Sequence, residues 1–233
     1  KGSIALALDV EPSKGFREAL EKPDRMDSLF LERAMHKHGA HLSVLDSEET
    51  LHDRFTIHDS AGDMLLKQLK DHYQIVLLDM PRHLNNYTRQ CLGHATQVVL
   101  VSELTLAGLR DTLRLLDMLR QNYGAAKPVI VANRVGLAPK HMIKEADFEK
   151  GINERIAYKV LYAPDVFMPI SADIAAVKLK TQAGVKPLYQ LAAELVPEMK
   201  SMIGAAEKAA AKSGGFFKKA PKEPPAKKEK KEK

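Results

Sequence analysis

Two residues of this 233-residue chain stand where chemistry could be done: Asp79, which ends the apolar run QIVLLD, and Asn133, which ends PVIVAN. A buried parallel strand that stops at a polar residue presents that residue beyond the carboxyl edge of the sheet, where the crevices of open α/β sheets lie. A carboxylate in that place can hold the water shell of a magnesium ion or orient a water beside a terminal phosphate. A carboxamide carries donors and acceptors together, which is what reading the edge of a purine requires. Each residue also has a plainer reading. Asp79 suits the cap of the turn that Pro81 enforces by ending any ladder, and its two readings weigh about equally. Asn133 by itself is a weak signal, because asparagine is common in turns after strands. Two polar strand ends in adjacent βα units strengthen it.

The elements that must position these residues alternate between Leu42 and Arg134, in the pattern of a parallel sheet flanked by helices. The expected strands are HLSVLD (41–46), QIVLLD (74–79), QVVLVS (97–102) and PVIVAN (128–133). Between the last two, Leu106, Leu109, Leu113 and Leu116 recur at helical spacing opposite Arg110, Asp111, Arg114 and Asp117, and Gly124 is placed to end that helix. Upstream, GFREALEKP reads as a short helix stopped by Pro23, and MDSLFLERAMHKHG as a second stopped by Gly39. Downstream come a helix over 146–152, the apolar run IAYKVLY, a loop through Pro164 and Asp165, and helices near 172–181 and 188–203. No internal repeat is visible.

Hydrophobic residues make up 45% of the chain and charged residues 28%, a soluble globular balance, and no apolar run approaches the roughly 18 residues of a membrane span. One cysteine, Cys91, cannot form an internal disulfide, so a reducing cytoplasm is the expected compartment. The net charge of +6 is carried by the end of the chain. From Ala205 onward there are ten lysines and four glutamates, which leaves a formally neutral body and argues against a nucleic-acid-binding face. The expected division is therefore a domain over 1–204 and a disordered Lys/Pro-rich tail over 205–233. Phe216 and Phe217 beside lysines suggest a peripheral membrane contact, but prolines at 221, 224 and 225 oppose an amphipathic helix, and a solubilising tail is the better reading.

The spacing His36, His38, His41 invites a metal reading, yet these residues span an expected helix end and strand start, so a solvated surface cluster is preferred. Cys91 has no activating neighbour and is expected to pack in a helix. No hydrolase triad or zinc-protease motif is present.

Four segments carry a family resemblance: IALALDVEPSKGFREALEKPDRMDSLFLERAM, VLLDMPR, LAGLRDTLRLLDMLR and VIVANR. From Ser3 to Asp165 the chain resembles the MinD/ParA superfamily of P-loop ATPases, and within it the CpaE/TadZ branch that serves Flp (Tad) pilus assembly. The first and third segments are specific to that branch, and the other two are shared across the superfamily. The resemblance implies a three-layer α/β fold with a mostly parallel sheet, ATP and Mg2+ as cofactors, a homodimer, and partners among the pilus secretion ATPase and other Tad assembly proteins. It implies action in the bacterial cytoplasm, at the cell pole or the inner-membrane face. Asp79 falls on the switch aspartate near magnesium and the attacking water. Asn133 falls on the adenine-reading asparagine. Pro81, Pro164 and Asp165 are placed with the nucleotide-binding residues.

The sequence departs from this pattern in one respect: none of its 13 glycines begins a G-x-x-x-x-G-K-[ST] phosphate loop. In relatives that loop lies before the position of Lys1, so the expectation is a chain that starts after its own phosphate site, with a non-hydrolysing scaffold of the same fold as the alternative. A ParA-type partitioning ATPase is a third reading, disfavoured by the neutral body. Loss of the strand before the phosphate loop would leave its neighbours with unpaired backbone and exposed apolar edges. This chain alone is accordingly predicted to bind ATP weakly or not at all; titration with a fluorescent ATP analogue checks this, and micromolar affinity would refute it.

Overall fold

The structure is a computed structural model that describes residues 4–8, 10–11, 13–39, 41–47, 56–123, 128–138, 140–167 and 185–197. Its first half is helical: α1 (Ile4–Leu8), α2 (Gly15–Glu21), a 3-10 turn (Pro23–Arg25), α3 (Ser28–Ala34), a hairpin of β1 (His36–His38) and β2 (Leu42–Val44), then α4 (Ala61–His72) and α5 (Asn86–His94). The second half holds the parallel sheet: β3 (Val99–Glu103), α6 (Leu106–Asn122), β4 (Val129–Val135), α7 (Glu145–Ile152), β5 (Ile156–Leu161), α8 (Pro164–Phe167) and α9 (Lys186–Leu195).

Local chemistry sets several of these boundaries. Asp27, Asn85 and Thr105 each accept a hydrogen bond from the backbone N–H three residues on, capping α3, α5 and α6. Pro23 ends α2 as expected but then opens the 3-10 turn, where its missing N–H costs nothing. Asn153 closes α7 in the left-handed conformation at φ 52°. Along α4, Ala61, Leu65 and Leu69 recur four residues apart and are buried against Tyr87 and Cys91 of α5 and against α2 and α3. Burial pushes the Tyr87 hydroxyl and the Cys91 thiol up, and Cys91 packs inside a helix as anticipated.

In the second half β4 is the centre of a sheet ordered β3-β4-β5, all parallel, with Val99 beside Val129 and Glu103 beside Asn133. Four successive residues of β4, Val129 to Ala132, are buried, because both faces of the strand are covered. Ile130 and Ala132 face Leu116 of α6 with Phe148 and Ile152 of α7, whereas Val129 and Val131 face Val160 and the Leu191 and Leu195 side of α9. Burying a side chain of the size of Ile130 or Leu116 contributes about 1.5–3 kcal/mol. Tyr158 of β5 donates to Glu194 of α9, a bond that, with some desolvation, pushes the tyrosine hydroxyl up to about 12. The α/β class and the parallel sheet flanked by helices are as expected.

Several elements differ from the sequence reading. QIVLLD forms no strand: 74–79 belongs to neither sheet and makes no backbone hydrogen bond with other described residues. It keeps a strand's alternation, with Val76, Leu78 and Met80 packed on the helical core and Ile75 and Leu77 exposed at 55% and 89%. The segment expected as one helix up to Gly39 stops at Ala34, and His36 to His38 pair antiparallel with Leu42 to Val44. Gly39, at φ 71°, serves the hairpin turn rather than a helix end, because only a residue without Cβ enters that region freely. The strand expected at 41–46 is thus three residues of a hairpin, not a member of the parallel sheet. Pro164 and Asp165 lie in a one-turn helix instead of a loop. Leu106 departs from its stripe, being 76% exposed at the start of α6. Gly124, the helix expected near 172–181, the end of that expected over 188–203, and the tail lie outside the described residues.

The apolar clusters respect the boundary between the halves. One draws on residues up to Cys91, and the other two begin at Val99 and Leu100. Arg82 reaches across to Asp111 of α6 in an ion pair that is largely exposed and so contributes roughly 0–1 kcal/mol. Within the second half the joint between β3 and α6 is tight: a Cβ on Gly108 would stand 2.1 Å from the Glu103 carbonyl oxygen. Gly108→Ala is therefore predicted to cost about 1–3 kcal/mol, read as a lower midpoint in denaturant unfolding of the sheet. Gly93→Ala, whose Cβ would meet nothing within 4 Å beyond its own helix, should cost nothing, since alanine favours a helix; equal midpoints for the two variants would contradict the packing described.

Candidate functional site

Asn133 lies near the carboxyl end of β4, beside Glu103 at the carboxyl end of β3. The β4–β5 register slips between Ala132 and Val135, so Asn133 and Arg134 leave the ladder to β5 as a bulge. Arg134 takes φ 51°, a left-handed backbone that costs a residue with a Cβ about 1–2 kcal/mol. Two bonds hold it there. Its guanidinium donates to Glu103 Oε1 at 3.2 Å, and its backbone N–H donates to Asn133 Oδ1 at 2.9 Å. Because an amide NH2 cannot accept from that N–H, the bond fixes which end of the carboxamide is which. The Asn133 oxygen is therefore taken by the Arg134 amide, and Nδ2 is a donor without a partner among the described residues.

The same rim carries the end of β5. Val135 aligns with Leu161, the Tyr162 N–H donates to the Val135 carbonyl at 2.9 Å, and Pro164 begins α8 just beyond. Parallel strands thus bring Asn133 and half-buried Pro164 to one end of the sheet. Asp165 is in the same short helix. Asp79 is exposed and makes no hydrogen bond or ion pair among the described residues, and Pro81 is exposed beside it. Three residues on, Arg82 binds Asp111 in α6, the helix that leaves the carboxyl end of β3. No bond joins Asp79 directly to Asn133 or to Pro164.

Glu103 and Arg134 were not singled out in the sequence. The signal was present in retrospect: a carboxylate directly follows the run VVLVS and a cation follows VIVAN, and parallel pairing sets Glu103 opposite Asn133, one residue before that cation. A second group was also missed. Asp46, 8% exposed, accepts from the Ser13 hydroxyl at 3.3 Å and stands 3.8 Å from His36 Nε2. His36 and His38 share one face of β1 and His41 lies in the hairpin turn, so the trio spans a hairpin rather than a helix end. Among the described residues no three metal-ligating side chains converge. An open depression of about 470 Å³, lined by Asp63, Lys67, Lys70 and His94, lies on α4 and α5, away from the sheet rim. No helix among the described residues is long and apolar enough to cross a membrane.

Asn133→Ala removes the acceptor for the Arg134 N–H and is predicted to cost about 0.5–1.5 kcal/mol. Asn133→Asp keeps that acceptor and should cost less; equal losses for both in thermal unfolding would show that the bond does not hold the bulge.

No protein-family model matches the chain, and no curated protein matches it in sequence. Solved structures do match. The cell division ATPase MinD of Pyrococcus furiosus superposes with a TM-score of 0.67 at 20% identity, over 82% of this chain and 79% of that one. MinD of Pyrococcus horikoshii OT3, solved as a complex with Mg-ADP, gives 0.66 at 19% identity, over 84% and 79%. A ParA family ATPase from Chlorobium tepidum TLS gives 0.63 at 18% identity, over 75% and 72%. In backbone architecture, then, the chain has the fold of the MinD and ParA ATPases.

Proposed function

We propose that the protein is an ATP-binding and ATP-hydrolysing member of the MinD/ParA superfamily that acts in Flp (Tad) pilus assembly and its polar localisation. The observation that carries the reading is the orientation of Asn133 on the carboxyl rim, with its oxygen occupied and Nδ2 free to donate to an acceptor such as N7 of adenine. Pro164, with Asp165 in the same turn, would flank the base from the end of β5, and Pro81 would shape the chain after Asp79. The exposed Asp79 carboxylate, without a partner among the described residues, suits the water shell of magnesium or an attacking water. Magnesium, when bound, supplies charge neutralisation at the phosphates. The pilus assignment rests on the CpaE/TadZ-like segments at 4–35 and 106–120. With it come the homodimer, the secretion ATPase and other Tad proteins as partners, and a place in the cytoplasm at the cell pole or on the inner-membrane face.

Saturation-transfer NMR with millimolar Mg-ATP tests the base site directly. Adenine protons should receive saturation from the wild-type chain and lose most of it in Asn133→Asp, which keeps the local backbone bond but no amide donor. Equal saturation in wild type and variant would overturn the assignment of Asn133.

A further inference from the structure

Two buried polar atoms of the helical half lack a hydrogen-bond partner among the described residues, Asp46 Oδ2 and His36 Nε2, and their side chains meet. The Asp46 side chain is 6% exposed, and its Oδ1 stands 3.8 Å from that ring nitrogen. Its other contact is weak. The Ser13 hydroxyl carries a single proton and has three acceptors in reach: the Asp46 carbonyl at 3.1 Å, Asp46 Oδ1 at 3.3 Å and the Ala34 carbonyl at 3.4 Å. The carboxylate is therefore short of donors, and a buried carboxylate needs a cation or several N–H groups. The joint around it is tight. Ser13 Oγ accepts from the Gly15 N–H at 3.2 Å, the Phe16 N–H donates to the Asp46 carbonyl at 3.3 Å, and a Cβ on Gly15 would stand 2.6 Å from that of Ala34. The start of α2, the end of α3 and the chain leaving β2 thus meet at one carboxylate, and His36 of β1 is placed to supply the charge it lacks.

We propose that His36 and Asp46 form a proton-operated latch. With the imidazole charged, its ring closes on the carboxylate and pins the β1–β2 hairpin to the joint of α2 and α3; with it neutral, the pair stands open. A charge-assisted N–H···O bond spans about 2.7–2.9 Å, so the ring has roughly 1 Å to travel. A neutral ring offers at most a neutral bond, about half as strong. The other charged groups of the packed elements do not take its place. Arg17 of α2 pairs with Glu21, whereas Lys14 and Glu18 around the start of α2, Arg33 at the end of α3, and Lys37 and His38 on β1 make no bond to either side chain among the described residues. Pairing draws the proton to the folded chain, so the latch contributes fully below the ordinary histidine range, near about pH 6.5, and is lost as pH rises through it. Below about pH 4 the carboxylate itself gains a proton and the pair is lost again. The latch belongs to the helical half and does not depend on what the sheet rim binds.

The test is an NMR titration of the histidine ring protons in the full chain, with the exposed His41 of the hairpin turn as internal reference. The His36 midpoint should lie about half a pH unit or more above that of His41, roughly a threefold gain in proton affinity, and Asp46→Asn should remove the difference. A second measurement reads the joint itself. Between pH 6 and pH 8, after correction for the intrinsic exchange rate, amide protection at Gly15 and Phe16 should fall by about threefold in the wild type and stay constant in His36→Gln. A wild-type His36 midpoint at or below that of His41 would overturn the latch, and so would the same pH-dependent loss of protection in His36→Gln.

Discussion

A strand is stable where its backbone groups are paired, and that constraint organises this protein. The ladder of β3, β4 and β5 meets it, and four consecutive residues of β4 are buried as a result. Everything fixed in the second half is fixed relative to that ladder: α6 sits so closely on β3 that Gly108 has no room for a side chain, and α9 is held to β5 through Tyr158 and Glu194. At 74–79 an equally apolar sequence has no strand beside it among the described residues. It then adheres by one face to the helical core of the first half.

The candidate site follows from the same ladder. Because the strands are parallel, their polar ends collect on one rim, and the bulge after Ala132 lifts Asn133 and Arg134 out of pairing with β5. Glu103 holds the strained arginine, and the arginine's amide orients the asparagine. The Asn133 carboxamide is thereby set by backbone geometry and one ion pair.

The sheet was legible in the sequence where apolar runs found partners. VVLVS and VIVAN became strands within two residues of expectation, the apolar run IAYKVLY became a third, and the leucine repeat became α6. Two failures have physical causes. QIVLLD has the composition of a strand, but composition does not supply the neighbour that a strand requires. The run up to Gly39 was read as helix, and the glycine that permits a φ of 71° was taken for a helix end instead of a hairpin turn. At the site, Asn133 was visible as a polar residue ending an apolar run. Its partner Glu103, thirty positions away, became visible only through strand register. The burial of Asp46 beside His36 and Ser13 likewise depends on tertiary contacts that no local pattern encodes.

Native-state amide hydrogen exchange, resolved by residue, measures the pairing constraint directly. Amides of Ile130 to Ala132 should be the most protected, those of 75–79 should exchange close to the unprotected rate, and the helices of 61–94 should open separately from the sheet. Protection of 75–79 equal to that of β4, or one common opening of both halves, would contradict the account.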